Sequence, residues 1–177
     1  MPSSYEHCSD CPYACGRQLT EADRAIPDRP LSMEDSGSDT LLVFQSPGIE
    51  EWKTGKPISS SNPRSAAAKM AKAFELVGSD RGQFNITNAV QCFPGKRGAE
   101  VDLSSRDRSP PAEVLGACSK WLETDIHKRS YKRIVVFGRV AEKMVRKLIG
   151  MDSRLLYVPH PSARGVSLAR LAAALKK

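Results

Sequence analysis

The sequence has no apolar run of membrane-spanning length, and its first residues, MPSSYEHC, lack the basic and then apolar order of a secretory leader. Both absences point to an intracellular protein without a membrane-spanning helix. No internal repeat is visible, and 177 residues suffice for one domain with a sizeable core, so no second domain is needed. Acidic residues are scarce in one region. From Lys128 to Lys177, 13 Lys and Arg stand against Glu142 and Asp152, a balance of +11 within a net charge of +7, so residues 1–127 carry −4. A basic third of this kind meets phosphate or forms solvated helix faces, and nucleic acid is the partner it favours.

Of the five cysteines, three fall in the run Cys8-Ser9-Asp10-Cys11-Pro12-Tyr13-Ala14-Cys15. In a reducing compartment such thiols are metal ligands or core residues rather than disulfides, and this spacing lets two of them reach one metal from a single turn. Further ligands would have to come from Cys92 and Cys118. That would pin the loop-rich segment 1–40 to the rest of the domain.

Leu41-Leu42-Val43-Phe44 and Ile134-Val135-Val136-Phe137 are apolar without alternation, as expected of strands covered on both faces. Phe84–Asn88 and Leu155–Val158 supply two more strands. Between them, helices are expected from Asn62-Pro63 through Ala66–Val77, from Ser109-Pro110-Pro111 to about His127, over Val140–Ile149, and over Leu168–Leu175. Alternating strands and helices predict a three-layer α/β/α sandwich around a four-stranded parallel sheet. In such a sheet ligands bind at the carboxyl edge. Three loops meet there: Gln45–Ile58, Asn88–Cys92 and His160–Arg164, with His160 held between Pro159 and Pro161.

Four motifs, QSPGIEEWKTGKP, NITNAVQCFPGKR, the apolar strand ending in Gly138-Arg139, and HPSARG, occur in the order and approximate spacing of the uracil-DNA glycosylase superfamily. The chain most resembles the iron-sulfur branch called family four, over most of residues 8–165. By that resemblance Cys8, Cys11, Cys92 and Cys118 match the ligands of a four-iron four-sulfur cluster, with Cys15 spare and zinc the competing occupant. Asn88 matches the asparagine that reads the polar edge of a flipped pyrimidine, His160 the histidine that stabilises the departing base, and Gln45 the third catalytic position. Ser46, Pro47, Gly48, Ile58, Ser59, Ser162 and Arg164 fall at substrate-binding positions, and DNA is the implied partner. Breaking an N-glycosidic bond develops negative charge on the base, so donors aimed at its oxygen lower the barrier.

The departures are specific. Gln45 replaces a glutamate and Ser46 an aspartate, so both usual positions lack a carboxylate, although Glu50 and Glu51 follow closely. Ile58, followed by Ser59, Ser60 and Ser61, replaces the aromatic that lies against the base, which removes stacking and opens space. The stretch between Cys92 and Cys118 exceeds the branch pattern. The resemblance implies a monofunctional DNA glycosylase, taken as a monomer because base flipping needs no partner, and the departures point to a bulky modified pyrimidine such as the hydroxymethylated or glucosylated cytosines of viral DNA, in antiviral defence. Ordinary uracil excision in repair, a non-catalytic iron-sulfur DNA-binding module and a partner-binding protein are the alternatives.

Overall fold

The computed structural model describes residues 8, 11, 13, 30–95 and 107–176. Four strands, β1 (Thr40–Phe44), β2 (Asn85–Asn88), β3 (Arg133–Phe137) and β4 (Leu155–Val158), form one sheet in the order β2-β1-β3-β4. Every pairing is parallel, with Phe44 opposite Asn88, Val43 opposite Val136, and Phe137 opposite Val158. All four strands therefore end at one edge. The α/β expectation holds, with each strand within a residue of the stretch expected to form it.

Alternate residues of the two central strands feed two separate cores. Leu41, Val43, Ile134 and Val136 pack with Val114, Leu122 and Ile126 of α3 (Ala112–His127) and Ala141 and Val145 of α4 (Arg139–Ile149). Leu42, Phe44, Val135 and Phe137 pack with Met70 and Phe74 of α2 (Ala66–Leu76) and Leu171 and Leu175 of α5 (Leu168–Leu175). Phe44 and Phe137 end the middle strands and stack with ring centres 4.6 Å apart and planes 4° from parallel. An aromatic pair of this kind contributes about 0.5–1.5 kcal/mol beyond burial. It also makes a flat apolar floor at the carboxyl edge.

Two local expectations need correction. Helix α2 is capped by Ser65, whose hydroxyl accepts from the Ala68 amide at 3.0 Å; Asn62 and Pro63 form the turn before it, where Asn62 Oδ1 accepts from the Arg64 amide. The stretch after β1 is not all loop, because Ile49–Thr54 forms a short helix, α1, ended by Gly55 in the left-handed conformation at φ 70°. Segment 30–38 is irregular as expected, yet it covers the β2 edge through reciprocal amide bonds between Glu34 and Ile86. No helix among the described residues is long and apolar enough to cross a membrane.

Helix α1 is tied down from within. Glu51 is buried, and its Oε2 accepts from the Gly48 amide at 2.8 Å. Burial raises its carboxyl from 4.5 to about 7, against the lowering effect of the Gly48 amide. The folded protein thus binds the Glu51 proton more tightly than the unfolded chain, so this group's stabilising contribution is complete below pH 4.5 and is lost as the pH rises through 7. A Glu51→Gln variant keeps an acceptor for Gly48 and removes the ionisation. Urea unfolding from pH 5 to 8.5 should show the wild type losing up to about 3 kcal/mol relative to Glu51→Gln. Parallel curves would show that Glu51 does not titrate in that range.

Candidate active site at the carboxyl edge of the sheet

Strand β2 is polar in sequence and completely buried. Three of its side chains can be checked for partners. Asn85 donates to the Tyr131 hydroxyl at 3.0 Å and accepts from the Ser36 amide at 2.8 Å. Thr87 donates to Asp125 at 2.5 Å. Asn88 is 1% exposed, and neither its Nδ2 nor its Oδ1 has a partner. An unsatisfied buried polar group costs about 1–3 kcal/mol. A carboxamide left with both ends open at a strand terminus has the donor and acceptor that a pyrimidine edge requires.

The backbone around Asn88 is rigid. Ala89 and Val90 donate to the Phe44 and Gln45 carbonyls at 2.7 and 2.9 Å, so β2 stays zipped to β1 past its end. Buried Gln91 reaches back through Nε2 to the Asn88 carbonyl at 2.9 Å, to Thr87 and to Asp125. Sequence reasoning did not single out Gln91 or Asp125. Only their burial and shared bonds reveal them.

His160 follows β4 and is half-buried. Its Nδ1 accepts from the Ser162 amide at 3.3 Å, so the neutral ring carries its hydrogen on Nε2. Burial lowers its pKa, while the Asp107 charge raises it. A neutral imidazole with a fixed Nε2–H is a donor suited to an oxygen that gains negative charge. Gly138 makes room for it: at φ +95°, a Cβ there would lie 3.2 Å from the His160 Cβ. Its amide also donates to the Val158 carbonyl at 2.8 Å, which locks the β3 and β4 ends together.

The structure gathers the other expected residues unevenly. Gln45, Ser46 and Gly48 are half-buried at the end of β1, with Pro47 buried between them. Ile58 is 5% exposed and packs in the α2–α5 core rather than lining open space. It has φ +47°, unusual for a β-branched residue, and Arg81 holds its carbonyl at 3.3 Å and that of Pro57 at 2.8 Å while pairing with Glu34. Backbone strain of this kind costs roughly 1–3 kcal/mol and clusters at binding sites. The Ser59 hydroxyl bonds Thr54 and the Lys56 carbonyl, and the Ser60 hydroxyl accepts from the Asn62 amide, so both are engaged within the turn. Ser162 and Arg164 are exposed beyond His160. Beside them opens a cleft of 340 Å³ lined in part by Arg64, Lys69, Lys72, Pro161 and Ser162.

Charge is divided between the two ends of the sheet. Lys128 and Arg129 pair with Asp35, Lys132 with Asp39, and Arg154 with Asp152, all near the amino ends of the strands. Part of the basic excess is thus neutralised away from the site. The cationic cleft lies at the other end.

Cys8, Cys11, Cys92 and Cys118 are all buried; Cys15 lies outside the described residues. Burial pushes the Cys8 thiol up and the Cys118 thiol up to about 12, and the charges of Cys8 and Cys11 act on Cys118. Trp121 Nε1 donates to Cys8 Sγ at 3.3 Å, and the Gln91 amide donates to the Cys118 sulfur. Such N–H donors are what ligating thiolates need in a buried site, and the donor set fits an iron-sulfur cluster or zinc. Among the described residues, no group of three or more His, Cys, Asp or Glu side chains is gathered tightly enough to hold a metal ion.

The chain is 27% identical over 116 residues to a type-4 uracil-DNA glycosylase of Pyrobaculum aerophilum, an alignment covering 66% of this chain and 52% of the relative. It is 30% identical over 115 residues to one of Sulfurisphaera tokodaii, covering 64% of this chain and 46% of the relative. The chain spans about half the length of the curated relatives it matches. The sequence profile of the Uracil DNA glycosylase superfamily matches residues 32–176, which takes in the whole sheet, the unpartnered Asn88 and His160, and the chain belongs to that superfamily.

Proposed function

We propose that the protein is a monofunctional DNA glycosylase that hydrolyses the bond between deoxyribose and a flipped pyrimidine, leaving an abasic site. The observation that carries this reading is the Asn88 carboxamide, buried with both polar atoms unpartnered at the same sheet edge from which the His160 loop departs. Asn88 would read the polar edge of the base. His160 Nε2–H would stabilise its oxygen as the bond breaks, and the Phe44–Phe137 floor would exclude water below it. Arg164 and the Arg64 and Lys72 side chains of the cleft would hold phosphates of the strand from which the base has swung out, while Lys69 ties the cleft together by donating to the Pro161 and Val166 carbonyls.

For the base itself, we favour a bulky modified pyrimidine, hydroxymethylcytosine or its glucosylated form, and hence a role against viral DNA. The reading rests on Ile58 where an aromatic wall would stack, and on glutamine and serine at positions 45 and 46. Because Ser59 and Ser60 are engaged in their own turn, the extra room would come from the missing ring rather than from a lining of hydroxyls.

Two experiments test the proposal. Alkaline cleavage after incubation with uracil-containing, unmodified and glucosyl-hydroxymethylcytosine DNA should report abasic sites on the last. Asn88→Ala and His160→Ala should each lower the rate on the order of 100-fold. Efficient excision of uracil alone would make this an ordinary repair enzyme, and no cleavage of any substrate would leave a DNA-binding module.

Cys8, Cys11, Cys92 and Cys118 would hold a four-iron four-sulfur cluster, which supplies a structural cross-link between the N-terminal segment, the β2 loop and α3 rather than redox chemistry. Protein purified without chelators should be brown, and Cys118→Ser should remove both iron and colour. Colourless protein with one equivalent of zinc would refute the cluster.

A further inference from the structure

A carboxylate that orients water would speed the hydrolysis proposed above, and neither Gln45 nor Ser46 supplies one. Glu51 is a poor substitute. It is buried, its Oε2 is taken by the Gly48 amide, and its carboxyl is pushed up to about 7. A different acid reaches the site from outside the motifs. Asp107 is exposed, and its Oδ2 lies 3.6 Å from where a Cβ on Gly48 would be, over the turn that follows β1. Its charge also acts on His160, in the loop after β4. The carboxylate thus lies over the turn after β1, and its charge is felt in the loop after β4.

The position is anchored rather than incidental. Arg108, the next residue, donates its amide to the Gly95 carbonyl at 2.8 Å, so the chain returning at Asp107 is fastened to the stretch just beyond Cys92 and Phe93. Phe93 is itself buried with Trp52 of α1, which connects that stretch to the Gly48 turn. Glycine at 48 leaves the space between turn and carboxylate open, and a side chain there would fill it.

We propose that Asp107 is the catalytic carboxylate of this enzyme, supplied in place of those absent after β1, and that it orients and deprotonates the attacking water. The inference rests on the glycosylase reading. As the C1′–N bond breaks, its electron pair leaves with the base, whose oxygen is held by Asn88 and His160. The Asp107 carboxylate stabilises the positive sugar, and the water oxygen bonds to C1′ while its proton passes to Asp107. Asp107 then returns that proton to solvent, and the departed base anion takes one up. No further reactant is needed.

The test is single-turnover abasic-site formation by the full chain on whichever DNA the wild type cleaves, with DNA affinity measured in parallel. Asp107→Asn and Asp107→Ala should each lose on the order of 100-fold in rate with affinity within two-fold of wild type, since the residue is exposed and acts on water. Added formate should restore part of the rate to Asp107→Ala, where the truncated side chain leaves room for a small carboxylate beside Gly48, and none to Asp107→Asn. A rate for Asp107→Asn within two-fold of wild type would overturn the assignment while leaving the glycosylase reading intact. So would a rate loss matched by an equal affinity loss, or an Asp107→Ala rate unchanged by formate. A wild type inactive on every substrate would overturn both.

Discussion

The site depends on the parallel pairing of β1 with its two neighbours. Because β2, β1, β3 and β4 all run the same way, the residues that end them, Asn88, Phe44, Phe137 and Val158, share one edge, and the loops that follow have nowhere else to go. Residues far apart in sequence, from the Gln45 turn to His160, lie along one edge for this reason. The stacked Phe44 and Phe137 rings join the ends of the two middle strands at that edge. Gly138 completes it by letting the β3 and β4 ends approach closely enough for His160 to lie against the turn.

On this frame, the buried polar side chains of β2 differ in whether they are bonded. Asn85 and Thr87 lie as deep as Asn88, and each is bonded to a named partner across the core. Their burial is offset by those bonds. For Asn88 no such offset exists within the protein, and the Gln91–Asp125 bonds hold its backbone while leaving its carboxamide open. The same bonds connect the site to the cysteines, since Gln91 also donates its amide to Cys118, which sits on α3. A cross-link at the cysteines would therefore stiffen the segment that presents Asn88, three residues before Gln91.

Strands and long helices were legible in the sequence because their signals are local: unbroken apolar runs for β1 and β3, proline starts and apolar periodicity for α3. Helix α1 was not, because six residues after Pro47-Gly48 look like a turn, and what holds them is a buried carboxylate bonding backwards to Gly48. Asn62 drew the helix start because a cap residue before proline is a strong signal, yet Ser65 is the residue whose hydroxyl meets an unsatisfied amide. Asn88 and His160 stood out through motifs at strand ends. Asp107 did not, since it is one acid in a polar stretch of mixed charge, and only the closure of Arg108 onto Gly95 brings it to Gly48. Ile58 was legible as a missing aromatic but not as a core residue with positive φ.

The central claim is that the open Asn88 carboxamide receives the flipped base, and side-chain amide NMR tests it directly. The chain has three asparagines, Asn62, Asn85 and Asn88, so protein labelled with ¹⁵N-asparagine gives three amide pairs. Asn85 is bonded within the core and Asn62 lies in an exposed turn, which makes both of them internal controls. On adding short DNA with an uncleavable 2′-fluorinated pyrimidine nucleotide, the Asn88 pair should shift and become protected from solvent exchange, with Asn85 unmoved. Saturated DNA binding with the Asn88 pair unchanged would contradict the claim.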